Sequence, residues 1–104
     1  RPTFSISASS LTASNGQTIT ITINTTNVPN GTKVRRLITG RHQSSSSNFY
    51  AFTPSYINNL AFVGDLTVNS NTASFTITIT STDKFYIYVR LDMFPTPSVR
   101  IKVN

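Results

Sequence analysis

A chain of 104 residues is the length of one domain, with room for a modest core and with most residues near its surface. Charged residues make up only 12%, Glu is absent, and nine Lys and Arg stand against Asp65, Asp83 and Asp92 for a net charge of +6. There is no Cys, which excludes a disulfide scaffold, a thiolate zinc site and a thiol nucleophile.

Residues 4–7 (FSIS) predict a short first strand with Phe4 and Ile6 on one face. Residues 8–16 are turn-rich, with Leu11 as their one apolar anchor and Asn15-Gly16 as a pair that tolerates positive φ. Residues 17–24 (QTITITIN) place Ile19, Ile21 and Ile23 on every second position with Thr between, the period of a strand with one buried and one wet face. Thr suits the wet face because its branched Cβ fits a pleated surface and its hydroxyl bonds water. After a turn carrying Pro29 and Asn30-Gly31, residues 33–39 predict a third strand that Gly40 ends. In it Lys33, Arg35 and Leu37 share one face, while Arg36 falls on the apolar face with Val34 and Ile38. Such an arginine snorkels at a sheet margin or is paired, because a deep unpaired guanidinium costs several kcal/mol, roughly.

Residues 41–59 are the least regular part, and a structureless loop of that length is unusual in a compact domain. A short extra strand over residues 49–52, or an ordering contact with a partner, is expected there. Residues 65–68 (DLTV) and 72–80 (TASFTITIT) predict a hairpin through Asn69, Ser70 and Asn71. Residues 85–91 point Phe85, Ile87, Val89 and Leu91 one way and Tyr86, Tyr88 and Arg90 the other. Pro95 and Pro97 mark a connection that cannot donate ladder bonds at those positions. Residues 99–103 form the last strand, with Val99, Ile101 and Val103 inward and Arg100 and Lys102 outward.

About seven strands, regular turn signals and no helical stretch predict an all-β fold, an immunoglobulin-like antiparallel β-sandwich spanning residues 1–104 as a single domain. The segment from Phe4 to Gly40, with its Thr-rich alternating strand, its TTNVPNGT turn and a strand ending in ITG, resembles immunoglobulin-like or Calx-beta-like modules of tailed-phage virion proteins and bacterial surface proteins. GDLTVNSNTASFTITIT is similar to the second hairpin of that family, so the resemblance covers about half the chain. The chain departs from calcium-binding relatives, since three scattered Asp residues supply too few oxygen ligands for a hard cation. The Cys pair and core Trp of antibody domains are also missing.

No catalytic, cofactor or metal set emerges from the sequence, and a non-enzymatic domain is expected. His42 is the only His. It lies near the Ser44 to Ser47 run, but nothing resembles a nucleophile elbow or an oxyanion loop, and one His without Cys cannot close a zinc site unless several carboxylates join it. The candidate contact residues form three groups. Phe49, Tyr50, Phe52 and Tyr56 form an aromatic cluster of the kind that marks interaction sites. Tyr86, Tyr88, Arg90, Arg100 and Lys102 share an outer sheet face if the last two strands pair. Arg35 and Arg41 belong to a separate basic cluster with Lys33 and Arg36. Tyr and Arg are enriched among interface anchors, and basic residues between aromatics can also hold single-stranded nucleic acid. Protein contact outweighs nucleic acid in this reading, and simple solvation of a charged face remains an alternative.

The resemblance implies a structural or adhesion module of a phage virion: a capsid decoration protein or a tail-fibre domain, with the major capsid protein or other virion proteins as partners, or a homo-oligomer. The alternative it implies is a bacterial cell-surface adhesin repeat binding glycan or protein. The chain opens on Arg1, which predicts a processed product, an excised module or part of something longer. No apolar run approaches the length of a membrane span and no secretory leader is visible, so a soluble chain without membrane contact is expected.

Overall fold

The computed structural model describes residues 1–44, 57 and 63–104. Among these residues eight strands form: β1 (Thr3–Ala8), β2 (Thr12–Ala13), β3 (Thr18–Thr26), β4 (Thr32–His42), β5 (Val63–Val68), β6 (Thr72–Thr78), β7 (Phe85–Leu91) and β8 (Ser98–Val103). They make one sheet in the order β1-β3-β6 and a second in the order β2-β8-β7-β4-β5. All pairs are antiparallel except the two-residue parallel match of β2 with β8. The expected sandwich therefore forms, with the strand order of an immunoglobulin-like fold.

Period-two alternation decides which side chains enter the core. Ile19, Ile21 and Ile23 of β3 face Phe85, Ile87, Val89 and Leu91 of β7 from the opposite sheet, and all are buried. The buried residues fall into two clusters, one around Ile21, Ile77 and Ile87 and one around Ile23, Val68 and Leu91. Ile6 and Phe75 pack against both and join them.

Three expectations change. The turn-rich stretch after β1 contains β2, whose Ala13 is buried beside Val103. Gly40 does not end β4, because β7 continues as a pairing partner through Gly40↔Ile87 to His42↔Phe85. A strand passes through glycine where its neighbour supplies the ladder. Residues 65–68 and 72–80 share the expected tight turn, with Asn69 and Thr72 exchanging both backbone bonds and Ser70 and Asn71 at positive φ. Beyond that single bridge they part, β5 to β4 and β6 to β3. Val68 and Ala73 are both buried, and splaying the strands onto facing sheets lets both point into one core. The strand expected over residues 49–52 lies outside the described residues.

Two turns lock together at one end. The Asn71 side-chain carbonyl accepts from the Thr25 hydroxyl at 3.0 Å and the Val28 N–H at 3.3 Å. In return the Asn30 carbonyl accepts from the Ser70 N–H at 2.7 Å. These amides pair backbone and hydroxyl groups where the chain crosses between sheets, so the polar groups there are satisfied.

Arg36 is buried, 7% exposed, on the inner face of β4 as its register requires. Its guanidinium lies 4.7 Å from the centroid of the Phe75 ring on the opposing sheet, and desolvation lowers its pKa from the ordinary arginine value. Gly64 lies directly across from Arg36 in β5, and a Cβ there would stand 3.2 Å from the guanidinium carbon. The glycine makes room for the planar head group between the sheets.

Candidate interaction face

The outer face of the five-stranded sheet carries the chemistry. β7 lies between β8 and β4, and the register sets three rows: Lys102–Tyr86–Arg41, Arg100–Tyr88–Thr39 and Ser98–Arg90–Leu37. Alternation that sends Ile87, Val89 and Ile101 inward sends these residues outward. Further along β4 the same face holds Arg35, opposite Asp65, and Lys33, opposite Thr67. Six of the nine basic residues thus project from one sheet face: Lys33, Arg35, Arg41, Arg90, Arg100 and Lys102.

Tyr86 is the centre of this face. The Arg41 guanidinium carbon lies 4.8 Å from its ring centroid, and that of Arg100 lies 4.8 Å from the same centroid. The two arginines reach it from the strands on either side. Arg41 Nε also donates to the Tyr88 hydroxyl at 2.9 Å, and the two tyrosine rings sit 6.4 Å apart at 48°. The ring quadrupole attracts each cation and offsets part of their mutual repulsion. The result is a pair of guanidiniums held over one aromatic ring, each with planar donors suited to carboxylate or phosphate oxygens.

The ends of the face differ. Arg35 meets Asp65 at 3.8 Å, with both side chains about half exposed, a geometry of small energetic consequence. Lys33 donates to the Thr67 hydroxyl at 3.1 Å. Arg41 therefore does not belong with Lys33 and Arg35, as the sequence reading grouped it; six residues of extended strand carry it roughly 20 Å further along β4, to Tyr86. No periodicity argument on β4 alone could find this, because the β4–β7 register brings Arg41 to Tyr86. Phe49, Tyr50, Phe52 and Tyr56 lie outside the described residues; Ile57, just beyond them, is buried and bridges Ile79.

Among the described residues no three His, Cys, Asp or Glu side chains cluster as metal ligands, and no helix is long and apolar enough to cross a membrane.

The chain matches no family model and no curated protein. Among solved structures it is similar to a conjugative transposon lipoprotein from Bacteroides eggerthii, at 10% identity and a TM-score of 0.49, over 97% of this chain and 96% of that one. The expectation of a phage capsid decoration or tail-fibre protein is corrected to this extent: it finds no counterpart here, and the matched structure is a conjugative transposon lipoprotein. A likeness at that level assigns no role to this chain.

Proposed function

We propose that this domain is a non-catalytic binding module that engages an acidic protein surface through the outer face of β4, β7 and β8. The observation that carries the reading is the convergence of Arg41 and Arg100 on Tyr86, within a face bearing six of the nine cations. Aromatic and arginine side chains supply most anchoring energy at protein interfaces, and concentrated charge steers an opposite partner to them. Single-stranded nucleic acid is disfavoured because base stacking needs an open ring face. Here guanidiniums from both neighbouring strands already lie over the Tyr86 ring.

The test titrates fluorescent poly-glutamate and, separately, oligo-thymidine with the full chain and with its Arg41→Gln/Arg100→Gln variant. The variant also loses the Tyr88 hydrogen bond and both ring contacts, so a cooperative melting transition is first recorded to show that it is folded. Poly-glutamate should bind more weakly as salt rises, and the double variant should lose about tenfold in affinity, as expected for two charge-assisted contacts. Equal affinity of variant and parent for poly-glutamate, or a clear preference for oligo-thymidine, would refute the assignment.

A further inference from the structure

Among the described residues β1 is an edge strand with no strand paired to its outer side. Its partner sum with β3 is constant from Thr3↔Thr26 to Ala8↔Ile21, so the pairing contains no bulge. The Ser9 N–H donates to the Thr20 carbonyl in the same register, so the odd-numbered residues of β1 direct their backbone groups toward β3. By alternation the N–H and C=O groups of Phe4, Ile6 and Ala8 point away from β3, and none of them makes a backbone bond among the described residues. Edge strands are usually shielded by charge, proline or a bulge. Within Thr3–Ala8 there is none of these.

The core beside this edge is open as well. Phe4, Ile6 and Ala8 point inward yet are only half-buried, whereas Ile19, Ile21 and Ile23 on the neighbouring strand are 0–2% exposed. Across the gap, Val99 of β8 is half-buried while Ile101 and Val103 are fully covered. β2 pairs only with Lys102 and Val103, so it stops short of this part of β8. Between β1 and the 93–98 connection lies a cleft of about 790 Å³ lined by Phe4, Ile6, Met93, Phe94 and Pro97 among others. Phe94 stands on its rim at 96% exposure. Free ladder groups, half-covered apolar residues and an exposed aromatic occur along one seam. Among the described residues no strand fills the position between β1 and β8.

We propose that the seam between β1 and β8 receives an extended segment of an acidic partner protein, which pairs with the open edge of β1 and sets apolar side chains, at every second residue, into the cleft. Main-chain bonds give such strand addition its affinity and alternate side-chain pockets its specificity. Charge selects the occupant. A second copy of this chain would bring another +6 to the contact, while an acidic segment offsets the net charge of the domain as a whole. The partner's charge rests on the acidic-partner reading above; the strand geometry does not.

The test uses a short synthetic peptide alternating Ile with Asp, and a control of equal charge in which Ser replaces every Ile. The alternating peptide should bind the full chain at least about tenfold more tightly than the control, since only it fills the cleft. Hydrogen exchange should slow at the Phe4, Ile6 and Ala8 amides and stay unchanged at Ser5 and Ser7, already bonded to β3. Ala8→Pro removes an outward N–H without touching the β1–β3 ladder and should weaken binding about tenfold. Phe94→Ser, at a fully exposed position, should weaken it without altering the melting temperature. Equal binding of both peptides with no protection on β1 would overturn the strand site while leaving the electrostatic reading intact. Slowed exchange at the same β1 amides in the free protein as its concentration rises, with dimers in sedimentation, would overturn the acidic occupant in favour of a second copy.

Discussion

Truncating isoleucines across the three-stranded sheet measures how far the core closes toward β1. Ile21 of β3 is 0% exposed and lies between Ala8 of β1 and Phe75 of β6. Ile21→Ala removes three carbons, about 2.4 kcal/mol at roughly 0.8 kcal/mol per buried CH₂, and leaves a sealed cavity that brings the cost to about 3–4 kcal/mol. Ile6→Ala, one strand outward, removes the same atoms from a half-covered position beside an open cleft. Solvent reaches that space, so the cavity penalty disappears and about half the transfer term remains, roughly 1–1.5 kcal/mol. At about 4–8 °C per kcal/mol for a domain of this size, the melting temperature should fall by about 12–30 °C for the first variant and about 4–12 °C for the second. Urea unfolding with unchanged m-values confirms that native stability has moved and not the unfolded ensemble. Costs equal to within about 0.5 kcal/mol would mean that β1 is sealed as tightly as β3, and the argument for a vacant strand position would fail.

Two further substitutions test other parts of the fold. Asn71→Ala removes the acceptor shared by the Thr25 hydroxyl and the Val28 N–H and places a Cβ-bearing residue without a side-chain amide at φ 61°, so unfolding free energy should drop by about 2–3 kcal/mol in a denaturant titration. Asp65→Asn breaks only a half-exposed 3.8 Å contact and should change stability by less than about 1 kcal/mol, while affinity for poly-glutamate rises slightly because Arg35 is released to the face.

The fold was legible in the sequence wherever alternation was strong. Ile19, Ile21 and Ile23, and then Phe85, Ile87, Val89 and Leu91, announced both the strands and their buried faces, and all are buried. Arg36 could be placed on the inner face by counting along its strand, yet the means of tolerating it came from two distant residues, Phe75 and Gly64, that no local pattern connects to it. Pairing was less legible than strand identity. A tight Asn-Ser-Asn turn reads as a hairpin because the turn is local, while the decision to send its two strands to different sheets depends on what lies opposite each. The same limit applied to the candidate face. Tyr86, Tyr88, Arg100 and Lys102 were grouped correctly because β7 and β8 are adjacent in the chain, whereas Arg41 was misassigned because its partner strand lies more than forty residues on. The Asn71 and Asn30 clasp left no signal at all, since in a chain so rich in Asn neither residue stands out.

The two outer faces of the sandwich divide polar character in a way that bears on approach of a partner. Outward positions of β1, β3 and β6 are Thr, Ser or Asn throughout, and none of these strands carries a charge. Hydroxyls there bond across strands, as between Thr18 and Thr78 at 2.9 Å and between Thr3 and Thr26. Such a face is hydrated and electrically neutral, so it attracts no ion over distance. The opposite face carries six cations, four of which, Arg41, Arg90, Arg100 and Lys102, gather about two tyrosines. Charge spread evenly would raise the encounter rate with an acidic partner without orienting it; six cations against Asp65 on one face would turn such a partner toward β4, β7 and β8 before contact. The Thr-rich strands are therefore more than a generic soluble exterior: by staying uncharged they leave the field of the domain one-sided, and Arg41 and Arg100 over Tyr86 stand where that field is delivered.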